Sequence, residues 1–145
     1  MPEETTQRQL VVFTLGTEEY ALPITEVHEI IAYAEPRSVA SSVASLRGVI
    51  SLRGKIVAVH DVAGRLGMSS SVTEQSKIVI VDTGVDIAGI IVDDVQEVLT
   101  VQSDQIVAVP NADVAMIDGV AQIGDRLVIV LRRDAIAGGE VALAA

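Results

Sequence analysis

The sequence contains no cysteine and no tryptophan among its 145 residues. The lack of cysteine excludes disulfide frameworks and thiolate-bound zinc. Aromatic residues are limited to Phe13, Tyr20 and Tyr33, too few to form the stacking platform of a protein that binds single-stranded nucleic acid. Ten basic side chains against twenty acidic ones leave a formal net charge of −10. Because that charge repels phosphate backbones and anionic lipid, we expect no nucleic-acid partner.

Long apolar runs are also missing. The longest stretches without a charged residue, Gln9–Thr17 and Ser38–Leu46, are nine residues each, whereas a membrane-spanning helix needs roughly 20. The N-terminus is polar and charged, unlike a secretory signal with its apolar core. We therefore expect a soluble cytoplasmic protein with no direct membrane insertion.

Residue types that serve in catalysis are present without a recognisable motif. Asp93 and Asp94 are adjacent, and neighbours on a strand point to opposite faces, whereas a working carboxylate pair shares one cleft. His28 and His60 lack the spacing of metal ligands, and we interpret each as a surface or edge residue. No nucleophile elbow or phosphate-binding loop is found. The sequence predicts no enzyme activity, no metal and no cofactor.

Short apolar runs separated by turn residues dominate the sequence, half of which is apolar. Leu10–Leu15 and Glu19–Ile24 lie on either side of a glycine-containing turn and predict a β-hairpin. Val49–Leu52 and Ile56–Val59 predict a second strand pair around Arg53-Gly54. The pattern indicates an all-β fold.

The second half of the sequence repeats the first. Ile78–Leu99 aligns with Leu10–Ile31 at a shift of 68 positions without a gap, and Gly119 aligns with Gly48 at a shift of 71. Each half therefore supplies about five short strands, and five twisted antiparallel strands close most readily into a small barrel.

We predict a single domain over 9–137 that contains two β-barrel subdomains, split near 69–76 where a serine-rich connector lies. Residues 1–8 and 138–145 are expected to be flexible tails. A groove between the two barrels is the expected place for a binding surface.

Three segments predict short helical or irregular pieces. The apolar residues of Val27–Ile31 recur at helix-like spacing, which indicates a helical turn or an irregular strand. Their side chains are expected to face the core, the alternative being an exposed patch for a partner helix. Asp61 as N-cap and Gly67 as a stop predict a brief helix, and another is expected within 132–145.

Arg53 lies at the joint of the second strand pair, where desolvating an unpaired guanidinium is costly. It therefore pairs with a carboxylate or contacts a partner. Glu29, flanked by apolar residues, is a candidate counter-charge that would fix the geometry of the Arg53 turn, and Glu97 is its repeat equivalent. The alternative is two unrelated surface charges, since exposed ion pairs contribute little.

In these residues the chain resembles the CheW-type coupling proteins of bacterial chemotaxis. The matching segments follow the family's order and cover roughly 9–136. They are Phe13–Ala21, Val27–Ile30, Gly48–Gly54, Asp61, Gly89–Val95 and Gly119–Val120.

The resemblance implies two intertwined five-stranded SH3-like barrels with short helices and no catalytic activity. It implies an adaptor that bridges the cytoplasmic tip of methyl-accepting chemoreceptors to the regulatory domain of the histidine kinase CheA. It also implies a Glu29–Arg53 pair near the contacts with both partners. The site residues that it implies are Val27, Glu29, Ile30, Ser51, Arg53 and Gly54.

The sequence departs from the family pattern at several positions. Ser51 replaces a usual asparagine, Ala58 and one of Val43 or Ala44 stand where prolines are common, and Val62 replaces a leucine. These departures leave open the alternative that the chain is a paralogue serving a receptor–kinase array outside chemotaxis.

Two further alternatives are a CheW-like regulatory domain of a longer protein and, from a different class, a β-barrel that binds a small ligand. The start at Met1 and the end after one domain favour a stand-alone adaptor over the longer protein. A cavity inside the barrels would favour the ligand-binding protein.

Overall fold

The computed structural model describes residues 6–66, 71–112 and 116–133, and these form β-structure with three 3-10 turns. The 3-10 turns are Ile24–Glu26, Gly64–Leu66 and Ser103–Gln105. The strands are β1 (Gln7–Leu15), β2 (Glu18–Pro23), β3 (Val27–Ala32), β4 (Leu46–Leu52), β5 (Lys55–His60), β6 (Lys77–Asp82), β7 (Ile87–Val92), β8 (Asp94–Gln102), β9 (Ile106–Val107), β10 (Ile117–Ile123) and β11 (Arg126–Leu131).

Both predicted hairpins are confirmed: β1 pairs with β2 and β4 with β5, each antiparallel. The repeat is confirmed as well. β10 and β11 have the lengths of β4 and β5 and begin 71 positions later, at 117 against 46 and at 126 against 55. β6, β7 and β8 likewise occupy the places that β1, β2 and β3 take in the first half.

The strands form two sheets that each draw on both halves of the chain. The six-stranded sheet has the order β8-β1-β2-β11-β10-β9, and the five-stranded sheet has the order β3-β6-β7-β5-β4. The parallel pairs β2–β11 and β5–β7 join strands from different halves. The connector near 69–76 therefore separates the two sequence repeats, whereas a cut there leaves neither sheet intact.

One sheet has six strands instead of the predicted five, because the two-residue strand β9 pairs with β10. In the first half the corresponding contact is a single bridge between Arg37 and Val49. β1 also begins at Gln7, inside the predicted tail 1–8, since Gln7 and Arg8 pair with residues of β8.

Each sheet closes around its own apolar interior. Side chains from the first and last strands of the five-stranded sheet, such as Ile31 and Leu52, meet in one cluster with Val57 and Ile78. In the six-stranded sheet, Leu10 and Val128 share a cluster with side chains of the edge strands β8 and β9. These shared clusters identify two closed barrels, as the sequence predicts.

A third apolar cluster fills the space between the barrels. Strands at this boundary bury both faces, which explains their unbroken apolar runs. On β1, Leu10 and Val12 face the interior of the six-stranded barrel, while Phe13 and Leu15 face the inter-barrel cluster. The Phe13 and Tyr20 rings stack there with centroids 6.5 Å apart.

The first two segments predicted to be helical or irregular adopt strand and 3-10 structure within the described residues. Val27–Ile31 lies within β3, and a register shift between Val27 and Glu29 shows that the segment is an irregular strand rather than a helical turn. Asp61 Oδ1 accepts a hydrogen bond from the Ala63 N–H at 3.1 Å and precedes the 3-10 turn, where a helix is predicted. Gly67 and the helix predicted within 132–145 from residue 134 onward lie outside the described residues.

The interpretation of His60 as a surface or edge residue is wrong. Its side chain is fully buried, and β5 lies between β4 and β7. Ser45, itself 6% exposed, places its Oγ 3.0 Å from His60 Nδ1. This hydrogen bond satisfies a buried imidazole nitrogen, so the histidine belongs to the core.

Candidate functional site

The β4–β5 hairpin has a two-residue turn formed by Arg53 and Gly54, with φ angles of 50° and 84°. Positive φ at both central residues defines a type I′ turn, which suits asparagine and glycine best. Arginine at the first position carries the steric cost of the left-handed region. The side chain of Arg53 is 66% exposed, so the turn presents a guanidinium at its tip.

Arg53 donates a hydrogen bond from Nη2 to Glu29 Oε2. Glu29 lies on β3 and Arg53 follows β4, and these are the two outermost strands of the five-stranded sheet. The ion pair therefore spans the seam at which the barrel closes. The hydrogen bond from Arg53 lowers the pKa of Glu29, and the same bond raises the pKa of Arg53, so both groups stay charged across the neutral range.

The other predicted site residues divide into two groups. Ser51 and Gly54 are exposed on the same hairpin as Arg53. Val27 is half-buried and packs against the inter-barrel cluster. Ile30 is 40% exposed and alternates with the half-buried Glu29 along β3. The apolar residues of Val27–Ile31 therefore do not form one surface, because an extended strand turns successive side chains to opposite faces.

A second ion pair adjoins the Arg53 turn and was not found from the sequence. Lys55 Nζ lies 3.0 Å from Asp86 Oδ1, and this contact lowers the pKa of Asp86. β5 and β7 run parallel, so their starting residues meet at the same end of the sheet. Around this pair, Ile56 is 66% and Val85 is 87% exposed. The sequence does not predict this ion pair, because it does not indicate that β5 and β7 pair in parallel.

The six-stranded barrel has a related contact. Arg126, the first residue of β11, contacts Glu97 on β8 at 2.6 Å and Glu19 on β2 at 2.8 Å. Glu97 is the predicted repeat equivalent of Glu29. The bonds to Glu19 and Glu97 raise the pKa of Arg126, and the bond from Arg126 lowers the pKa of Glu19. Arg126 is 34% exposed, half the value for Arg53.

The described ranges hold neither a candidate metal cluster nor a helix that could span a membrane. Within 6–66, 71–112 and 116–133, no three histidine or acidic side chains come close enough together to hold a metal ion. The helical segments in these ranges are three-residue turns, and none is long and apolar enough to cross a bilayer.

A family model described as the CheW-like domain matches residues 9–140. The chain belongs to the CheW family. It is 31% identical over 133 residues to the chemotaxis protein CheW of Klebsiella aerogenes, covering 88% of this chain and 80% of that protein. CheW of Bacillus subtilis is 31% identical over 107 residues, covering 73% and 69% of the two chains.

The structural comparison agrees. The crystal structure of the scaffolding protein TtCheW from Thermoanaerobacter tengcongensis superposes with a TM-score of 0.81 at 31% identity, covering 91% of this chain and 88% of that one. The CheW fold and the two-barrel architecture expected from the resemblance are therefore confirmed.

Proposed function

We propose that this chain is a non-catalytic adaptor that couples chemoreceptors to the histidine kinase CheA in chemotaxis. Membership of the CheW family and the likeness to a scaffolding protein support the adaptor role. Its partners are the regulatory domain of the kinase and the cytoplasmic tip of methyl-accepting receptors. Since both partners act in the cytoplasm, the chain works there, associated with membrane-bound arrays through its partners.

The observation that carries the proposal is the exposure of Arg53. An arginine in a left-handed turn position is unfavourable for folding, and an exposed ion pair such as that of Arg53 contributes little to stability. The guanidinium has five donors, and the Arg53 side chain is 66% exposed. A docking role explains why an arginine occupies the tip of the hairpin, where its hydrogen bond to Glu29 on β3 orients the side chain.

The surroundings of Arg53 support a protein partner. Ile56 and Val85, the sequence neighbours of Lys55 and Asp86, expose apolar surface. Apolar surface next to an oriented arginine is the composition typical of interface hot spots. Ser51 and Gly54 add hydrogen-bonding and backbone surface on the same hairpin.

The mechanism is non-covalent bridging. A protein that binds receptor and kinase at once raises their effective concentration for each other. The state of the receptor then biases kinase activity through the shared assembly, which is a coupling free energy between two sites. Neither step needs a reacting group on the adaptor.

The alternatives are less well supported. The relatives are named as chemotaxis proteins, which favours chemotaxis over another receptor–kinase array. The interiors of both barrels hold packed apolar side chains, with exposures of 0–2% in one cluster and 0–7% in the other. This packing argues against a ligand-binding barrel.

A three-component binding experiment tests the proposal. The CheA regulatory domain is immobilised, and a soluble receptor cytoplasmic fragment is added with and without this chain. If the chain is an adaptor, the receptor fragment is retained only when the chain is present. Retention then saturates at one chain per regulatory domain. Retention that does not depend on the chain, or binding to neither partner, would refute it.

A further inference from the structure

The two barrels carry surface pockets at equivalent positions. One pocket of about 320 Å³ is lined by Arg47, Asp61 and Ile91, among others. A second pocket of about 340 Å³ is lined by Asp118, Arg132 and Pro23. Arg47 and Asp61 align with Asp118 and Arg132 at the repeat shift of 71 positions. Pro23 aligns with Ile91 at the shift of 68. The pockets are therefore related by the internal repeat.

Their ion pairs are inverted. In the first pocket, the cation Arg47 occupies the β-bulge of β4 and contacts Asp61 at 2.9 Å. In the second, the anion Asp118 occupies the matching bulge of β10 and contacts Arg132 at 3.3 Å. The same backbone feature thus holds opposite charges in the two barrels.

The second pocket also gathers two further arginines, Arg8 and Arg133. Among its described lining residues, these two and Arg132 set three positive charges against the carboxylates of Asp118 and Glu26, which leaves one net positive charge. The described lining of the first pocket sets Arg47 against Glu35 and Asp61, one net negative charge. We call the second the arginine pocket. A positive site stands out in a chain of net charge −10.

The contacts of Arg8 and Arg132 with Asp118 are long. Arg8 Nη1 lies 3.5 Å and Arg132 Nη2 lies 3.3 Å from Asp118, whereas charge-assisted hydrogen bonds at full strength measure about 2.7–2.9 Å. Arg133 donates to a backbone carbonyl, Asp82 O, at 3.3 Å. Two guanidiniums share the Asp118 carboxylate, and Arg8 and Arg132 keep about a third or more of their side-chain surface exposed.

We infer that the arginine pocket binds a carboxylate presented by an acidic side chain of a partner protein. The partner's role rests on the proposed adaptor function. One carboxylate brings the charge of the described lining residues to neutrality and offers the bidentate geometry that guanidiniums match. A dianionic phosphate leaves an excess negative charge beside Asp118 and Glu26.

The lining favours a tethered carboxylate over a free organic acid. Small ligands are held by burying most of their surface in apolar walls. Among the described residues, the apolar lining of this pocket consists of Pro23, half-buried, and Leu131, only 1% exposed. A side chain anchored on a folded partner needs no such walls, because its partner supplies the rest of the interface.

Titration of the full chain followed by two-dimensional amide NMR tests this inference. The probes are acetyl-Gly-Glu-Gly-amide, its Gln counterpart, glutarate and inorganic phosphate. The Glu peptide is expected to shift the amides of Arg8, Asp118 and Arg132 with a Kd on the order of millimolar, and the Gln peptide to leave them unmoved. Equal shifts with both peptides, or none, would overturn the inference.

Two variants separate binding from structure. Arg8→Gln is expected to weaken the Glu peptide about fivefold, and Asp118→Asn to strengthen it by removing the internal competitor. Arg47→Gln, in the related pocket, is the matched control and leaves the Kd unchanged. If Arg8→Gln fails to fold, a tighter Kd for Asp118→Asn still supports the inference, and an unchanged or weaker one contradicts it.

The small anions identify the source of the carboxylate. Glutarate binding about tenfold more tightly than the Glu peptide would contradict a tethered side chain in favour of a free acid. Tighter binding of phosphate would contradict the charge-matching argument. Because these measurements use the chain alone, their failure leaves receptor–kinase bridging untouched.

Discussion

Glu97, the repeat equivalent of Glu29, contacts Arg126 at 2.6 Å. Arg126 lies two residues after the position that the repeat aligns with Arg53. That position is occupied by Gly124, a better residue for a left-handed turn position. Arg126 instead sits on the strand between two glutamates, with half the exposure of Arg53. In the six-stranded barrel the arginine is thus held between carboxylates of two other strands. The five-stranded barrel keeps its arginine at the tip, available to a partner.

Replacing Arg53 with asparagine separates folding from docking. Asn-Gly is the favoured pair for a type I′ turn, so Arg53→Asn is expected to keep or slightly raise the midpoint of urea unfolding. Loss of the guanidinium is expected to weaken binding to the partner that uses it by about tenfold or more. Unfolding followed by circular dichroism and a pull-down with each partner check the two halves. A variant that unfolds early, or that binds normally, contradicts the account.

The Glu19–Arg126 pair predicts an acid-sensitive part of the stability. The pKa of Glu19 is lowered by its hydrogen bond from Arg126, so the folded state holds the proton less tightly than the unfolded chain. The contribution is full above the ordinary carboxyl pKa of 4.5 and is lost as pH falls through the lowered value. Glu19→Gln is expected to reduce the free energy of unfolding by about 1 kcal/mol at pH 7.

Urea unfolding at pH 7 and pH 3 measures this effect. The difference between Glu19→Gln and the unmodified chain should shrink at the lower pH, because pH 3 lies below 4.5, the value under which the contribution of the pair declines. Glu74→Gln, at an exposed connector position, is the control and should leave stability unchanged at both values. A Glu19→Gln deficit that grows on acidification would show that the pair does not supply it.

Gly48 is expected to be intolerant of a side chain. A Cβ there would lie 2.1 Å from the backbone oxygen of Arg37, at a φ of 150°. Val49, next to it, exchanges two backbone hydrogen bonds with Arg37, of 2.8 and 2.9 Å. Gly48→Ala must displace that bridge, so we expect a loss of about 2–4 kcal/mol in the free energy of unfolding. Gly64→Ala, with no atom within 4 Å of its Cβ, is the control expected to be mild.

The buried Ser45–His60 contact gives a further stability test. Ser45→Ala removes the hydroxyl that lies 3.0 Å from Nδ1 of the buried His60. We expect a cost of about 1–2 kcal/mol, measured by urea unfolding, without loss of partner binding. Ser71→Ala, at an exposed position, should change neither. A neutral Ser45→Ala would mean that the hydrogen bond adds no net stability.

The sequence was sufficient for the local elements and for the repeat. β-branched runs and turn residues act over a few positions, so the hairpins β1–β2 and β4–β5 could be predicted together with their counterparts in the second half. Glu29 and Arg53 could be proposed as a pair because a guanidinium at a strand joint needs a counter-charge.

Contacts between the halves could not be predicted in the same way. Lys55 meets Asp86, and Arg126 meets Glu19, only because β5 pairs with β7 and β2 with β11. Parallel pairing leaves no local signature in the sequence, since its partners are distant in the chain. The burial of His60 cannot be predicted for the same reason, because it depends on strands from the other half of the chain.

Reciprocal charge reversal at Glu29 and Arg53 tests the central claim most directly. Kinase autophosphorylation is measured with receptor fragments on vesicles, kinase and chain. Glu29→Arg and Arg53→Glu should each reduce receptor-dependent activation about tenfold or more while remaining folded, and the double variant should recover part of it. Normal activation by both single variants would contradict the assignment of the Glu29–Arg53 pair to the docking surface.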